Sequence, residues 1–282
     1  MAQKVVYKSS DVGTSFSHVE LIFDSWNELK LYLLNFHEKN PQGQYVFRGH
    51  ADAAWELKPT IERLGADDSI AIEKKALENF KKDIAIFAGN KDISILNTPN
   101  TDLKWLALMQ HHGAATRLLD FSDSPFIAAF FSMANINSDK KDKCIWAIPL
   151  LTIEKKNVLF NLNRSKTLSV IYEEFKVDRN QTLDILGYSY LDRQFERLFR
   201  QQGGFLFSIS GSKSFSSLLN TYFDDESLWD FPLLKLTIKN VQKNEIALAI
   251  NDLKSMNITY SSLFPDIDGF SKDILLSEYI GE

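Results

Sequence analysis

Two segments of this chain carry side chains that could do chemistry. The first, "YVFRGHADAAWELKPTIER" (45–63), places Arg48 beside Gly49. A guanidinium at the end of a short aromatic and β-branched run is a planar, permanently charged fork. A following glycine lets a ligand come close to the backbone, an arrangement that suits a pyrophosphate or a carboxylate. The alternative is an internal partner such as Asp120, with Arg48 orienting a loop. The second segment, "QHHGAATRLLDFSDSPFIAAFFS" (110–132), gathers Gln110, His111, His112, Thr116, Arg117, Asp120, Ser122 and Ser124 ahead of an apolar run. Polar groups before a Ser-Pro helix start lie near unpaired N–H groups and a positive dipole end, which attract anions. In the competing account Thr116, Asp120 and Ser122 hold a turn by local hydrogen bonds, and one histidine caps a helix. Adjacent histidines on a helix point about 100° apart, so no shared metal site is expected.

Two further segments carry weaker signals. In "ERLFRQQGGFLFS" (196–208) two glycines allow a tight turn, and Gln201 or Gln202 could donate and accept at the start of a strand. In "SSLFPDIDGFSKDILLSEY" (261–279) Asp266 and Asp268 lack the calcium-loop pattern and fit helix capping instead.

The elements that must position these groups are legible in outline. Residues 25–39 read as an amphipathic helix capped by Ser25, and "YVFRG" as a strand closed by Gly49, with Arg48 at its end. Helices are expected over 71–89 and 101–113, the second stopped at Gly113, and a buried helix follows Ser124 and Pro125. "KCIWAIPLL" (143–151) reads as a core strand, and 152–200 as mostly polar and helical, including "SVIYEEFK". "GFLFSIS" and "LLKLTIKN" return to strand character, and two terminal helices close the chain. With no Pro-, Gly- or Ser-rich linker, the expectation is one mixed α+β domain over 1–282, with small central β-sheets flanked by helices.

Composition narrows the function classes. A 282-residue chain, 44% hydrophobic and 24% charged, is long enough to bury a substantial core and needs no disulfide staple. Its net charge of -5 disfavours sequence-blind nucleic-acid binding, which draws on a basic surface. The single Cys144 fits a reducing compartment, and no apolar run is long enough to cross a membrane, so a cytoplasmic location is expected.

Taken together, "FRGHADAAWELKPTIER", "QHHGAATRLLDFSDSPFIAAFFS", "RQQGGF" and "SLFPDIDGF" resemble, in order, the FRG domain family, named for the triplet that stands here as Phe47, Arg48 and Gly49. The resemblance spans about 45–270. It departs from the pattern at Ala115, where proline is common, and at Phe121, where tryptophan is common. It implies a bacterial, phage or mobile-element protein of the kind discussed in connection with defence or toxicity. More loosely, Arg48-Gly49 followed by Ser122 and Ser124 is similar to the arginine-class ADP-ribosyltransferases. That likeness implies an ADP-ribosyltransferase-like fold with NAD as substrate, its phosphates or ribose held by Arg48 and the ribose side supported by the serines. The carboxylate such enzymes place near the third segment is missing from "RQQGGF", and the nearest glutamate is Glu196. On this resemblance Arg48, His112, Glu196 and Gln202 are the catalytic candidates. The ligand-binding candidates are Gly49, Gln110, His111, Thr116, Arg117, Asp120, Ser122, Ser124 and Gln201.

Three functions stay open at this point. One is an effector that cleaves NAD or transfers ADP-ribose to a protein or nucleic-acid target. Another is a module that binds a nucleotide or other phosphate-bearing ligand without turnover, and the third a metal-independent nuclease with His112 as base.

Overall fold

The computed structural model describes residues 2–8, 16–40, 44–65, 68–87, 102–136, 140–159, 184–190, 196–210, 213–224 and 231–281. The strands are β1 (Gln3–Tyr7), β2 (His18–Phe23), β3 (Tyr45–His50), β4 (Leu119–Ser122), β5 (Lys143–Pro149), β6 (Ile185–Ser189), β7 (Gly203–Ile209) and β8 (Leu234–Ile238). They form one eight-stranded sheet in the order β1-β2-β8-β5-β3-β4-β7-β6 rather than several small sheets. Only the β2–β8 pairing is parallel among these; the others are antiparallel. The α+β class expected from the sequence is the class observed.

Alternation along the strands divides the core. Phe47 of β3 and Ile145 and Ala147 of β5 face a cluster built with α1 (Trp26–Lys39) and α4 (Pro125–Met133), joined by α8 (Lys243–Ser255). Val46, Cys144, Trp146 and Ile148 face the opposite cluster, which is covered by α5 (Leu150–Leu159) and α7 (Phe215–Phe223). A third cluster packs α2 (Ser69–Phe87) and α3 (Asp102–His111) against Phe205 and Phe207 of β7.

Local signals set the helix ends as expected. Ser25 accepts from the Glu28 N–H, and Ser124 from the Ile127 N–H with Pro125 in the first turn. Gly113, at φ 88°, ends α3.

Four readings are corrected. Strand β3 continues to His50, so Arg48 is not its last residue. Within the stretch read as polar and helical, 185–189 is a strand. It is an edge strand whose Leu186 N–H and C=O are taken by the Tyr222 hydroxyl and the Asn157 amide, at 3.0 and 3.1 Å. Residues 119–122, read as part of a connecting turn, are strand β4, because β7 pairs along their whole length. The tail holds three helices: α8, the single turn α9 (Tyr260–Leu263) and α10 (Ile267–Ile280). "SVIYEEFK" and the glycine at 89 lie outside the described residues. No helix among the described residues is long and apolar enough to cross a membrane.

Candidate functional site

Strands β3 and β4 share one residue pair, Phe47 opposite Ser122, and part beyond it. Arg48 fills the seam. Its Nη1 donates to the Asp120 carbonyl oxygen at 2.7 Å, a backbone acceptor that no β3 N–H reaches, and lies 3.9 Å from Asp120 Oδ2. Its Nε donates to His50 Nε2 at 3.3 Å. Since Nε2 accepts, the His50 proton sits on Nδ1, which donates to the Trp55 carbonyl at 3.2 Å. Arg48 is therefore clamped by a neutral imidazole and a backbone oxygen. Nη2 has no partner among the described residues. Burial lowers the Arg48 pKa, Asp120 opposes that shift, and Arg63 adds to it.

Burial, followed by the Arg48 charge, lowers the His50 pKa to about 3. The unfolded chain thus takes up a proton near the ordinary value of 6.5, which the folded imidazole refuses until about 3. The resulting stability is fully present above the unfolded pKa and is lost as pH falls through this window, by at most about 1.4 kcal/mol per pH unit. His50→Gln should flatten that acid limb in unfolding measurements between neutral pH and about pH 4. An unchanged slope would mean that His50 does not carry it.

Asp120 joins Arg48 to the second segment. Its Oδ1 accepts from Gln110 Nε2 at 2.9 Å. Gln110 Oε1 in turn accepts from the Thr116 hydroxyl, and Thr116 Oγ1 accepts from the Leu118 N–H at 3.2 Å. This relay from the buried Thr116 fixes the Gln110 amide and so aims Asp120, whose carboxylate stays more than half exposed. The Asp120 carboxylate lines a cleft of about 120 Å³ with Gln110, His111, Arg197 and Gln201, over Leu198 and Phe205. The Arg197 guanidinium lies 4.3 Å from the centre of the Phe264 ring. Burial lowers the Arg197 pKa, and the Asp120 and Asp266 carboxylates oppose that shift.

The structure thus brings Arg48, Gln110, His111, Thr116, Asp120 and Gln201 to one place. The other expected residues have different surroundings. Arg117 turns to α2, where Glu73 accepts from its Nε and, at 2.6 Å, from its backbone N–H. Ser122 Oγ donates to the Gln201 carbonyl at 2.7 Å, and Ser124 caps α4. Glu196 pairs with Arg200 at 2.7 Å on the solvent side of α6 (Glu196–Arg200). Gln202, at φ 47°, makes the turn before β7, and its carbonyl accepts from the Asp123 N–H. His112 is exposed, with its ring 5.0 Å from that of His111, and does not line the cleft. The close approach at Gly49 comes from α4: an added Cβ would stand 1.9 Å from the Ala128 carbonyl oxygen.

His50 and Arg197 were not anticipated. Period two along "RGH" puts His50 on the same strand face as Arg48, a signal present in the sequence. Arg197 carries no comparable sign, because α6 reaches the cleft only through the fold. Among the described residues no group of three or more histidine, cysteine or acidic side chains could hold a metal ion.

Compared with known families, residues 43–141 match the FRG domain. No curated protein and no solved structure matches the chain.

Proposed function

The chain carries an FRG domain over residues 43–141, and from that premise we propose that it binds a nucleotide-like, phosphate-bearing ligand at Arg48 and the adjoining cleft. The observation that carries this reading is the state of Arg48. A largely buried guanidinium whose fixed partners are a neutral histidine and a carbonyl, and whose nearest carboxylate oxygen is 3.9 Å away, is incompletely compensated by the protein itself. A phosphate oxygen would complete it. The relay-held Asp120 carboxylate can accept from ribose hydroxyls, and the Arg197 cation adds charge on the far wall.

A second reading is NAD consumption, and the position of Asp120 favours it. The Arg200 guanidinium already occupies Glu196, whereas Asp120 is a carboxylate on the cleft itself. Such a group can stabilise the cationic sugar that develops as nicotinamide departs. The nuclease reading draws least support, since His112 lies off the cleft.

Calorimetric titration with ADP-ribose and with NAD, alongside measurement of released nicotinamide, separates these readings. Saturable binding without release supports the binding module. Release that Asp120→Asn abolishes, while ADP-ribose still binds, supports NAD consumption. The absence of binding to either compound would sink the proposal.

A further inference from the structure

Arg48 belongs to a row of side chains that crosses four strands. It pairs in register with Trp146 of β5, Trp146 pairs with Lys235 of β8, and Lys235 pairs with Glu20 of β2. Residues opposite each other in a ladder share a face and stand about 5 Å apart, so a guanidinium, an indole, an ammonium and a carboxylate lie side by side. The row is on the sheet face away from α3, the face to which Val46 and Trp146 contribute.

Its hydrogen-bonding account does not close. Trp146 is 4% exposed, and its Nε1–H is buried without an acceptor. An orphan donor carries its full desolvation penalty, and native structures keep few of them. On one side of Trp146 the Nη2 edge of Arg48 also lacks a partner. On the other, Lys235 Nζ lies 5.5 Å from the centre of the indole ring and 3.6 Å from Glu20 Oε1, an oxygen that also accepts from Thr237 at 2.6 Å. Two donors of β8, Lys235 and Thr237, therefore share the carboxylate at the end of the row. Electrostatics agree with the geometry: after burial, the charges of Arg48, Arg63 and Lys235 all hold down the pKa of His50 on this face, so the cations bear on one region.

We infer that the Arg48–Trp146–Lys235 row is the phosphate subsite, where an anionic oxygen accepts from the indole N–H between the two cationic side chains. This rests on the reading of Arg48 as an anion-binding residue and adds to it where the phosphate lies and which residues hold it. The cleft beside Asp120 would then take the uncharged part of the ligand, with Arg48 in the seam joining the two faces.

Inorganic pyrophosphate is the direct probe, titrated into the full chain and into Trp146→Phe, Lys235→Met, Arg48→Met and Asp120→Asn variants. Trp146→Phe removes the donor and keeps an aromatic ring, so it should weaken pyrophosphate binding about tenfold without lowering the melting temperature, since an orphan donor leaves with it. Lys235→Met should weaken binding by a similar factor, whereas Asp120→Asn, which removes a competing negative charge 3.9 Å from Arg48, should tighten it. If Arg48→Met loses pyrophosphate while the Trp146 and Lys235 variants bind like wild type, the subsite is overturned and the Arg48 reading survives. Failure of the wild-type chain to bind pyrophosphate overturns the subsite, and failure to bind ADP-ribose as well overturns both. Should Trp146→Phe fold poorly, Lys235→Met decides alone.

Discussion

Arg117→Met should unfold at a markedly lower urea concentration than wild type, with a loss of about 3–5 kcal/mol. The Arg117 side chain is 13% exposed and that of Glu73 only 2%. The Glu73 carboxylate accepts both from the Arg117 guanidinium and from its backbone N–H, at 2.6 Å for the latter. Removing the guanidinium leaves a buried charge with half of its compensation. The double variant Arg117→Met/Glu73→Met should recover part of the loss, because the uncompensated charge is then gone as well. Equilibrium unfolding of the single and double variants measures both effects. If the single variant were as stable as wild type, Arg117 would be free to face a ligand and its assignment to the α2 contact would fail.

Gly49→Ala should also be severe, for a different reason. The new methyl would stand 1.9 Å from the Ala128 carbonyl oxygen and 2.8 Å from the Ser132 nitrogen, both backbone atoms of α4. No side-chain rotation relieves such a contact, so the whole helix must lift from β3. Overpacking a core costs about 1–3 kcal/mol when neighbours can adjust, and here the cost should reach or exceed the top of that range. Melting temperature and near-ultraviolet circular dichroism report it. Ligand affinity measured on whatever fraction stays folded should fall too, because Ser124, the cap of α4, stands two residues after the strand that holds Asp120. A stable, tight-binding Gly49→Ala protein would contradict this packing.

These residues mark where sequence reasoning reaches and where it stops. Capping is local, so Ser25, Ser124 and Pro125 could be read within a few positions of the helices they start. The turn-bracing role of Thr116 was legible for the same reason. Strand β4 was not: its Asp and Ser are turn-forming types, and its extended form comes from pairing with β7, more than 80 residues along the chain. Strand β6 hid because "ILGYS" is nearly all buried, so it lacks the alternation that marks a half-exposed strand. Arg117 reads as an anion ligand because its partner, Glu73, lies 44 residues earlier on α2, outside the connection between α3 and β4 that holds Arg117. Gly49 reads from sequence as room for a ligand beside the backbone, but the backbone of α4, which no single-sequence pattern displays, occupies that space instead. Arg48 and Asp120 were paired from sequence as guanidinium and carboxylate. The structure keeps that pair, with Arg48 Nη1 3.9 Å from Asp120 Oδ2, and adds a shorter bond to the Asp120 carbonyl at 2.7 Å, while Asp120 also borders the cleft.

Ligand binding at this site depends on the Arg48 charge being left for a ligand to complete, and the affinity of ADP-ribose for wild type and Arg48→Met tests that most directly. Hydrogen bonds to a charged group contribute about 1.5–3 kcal/mol, so binding should weaken by roughly ten- to a hundredfold while the variant stays folded. Equal affinity in a folded Arg48→Met protein would contradict the account and return Arg48 to a purely structural role in the seam between β3 and β4.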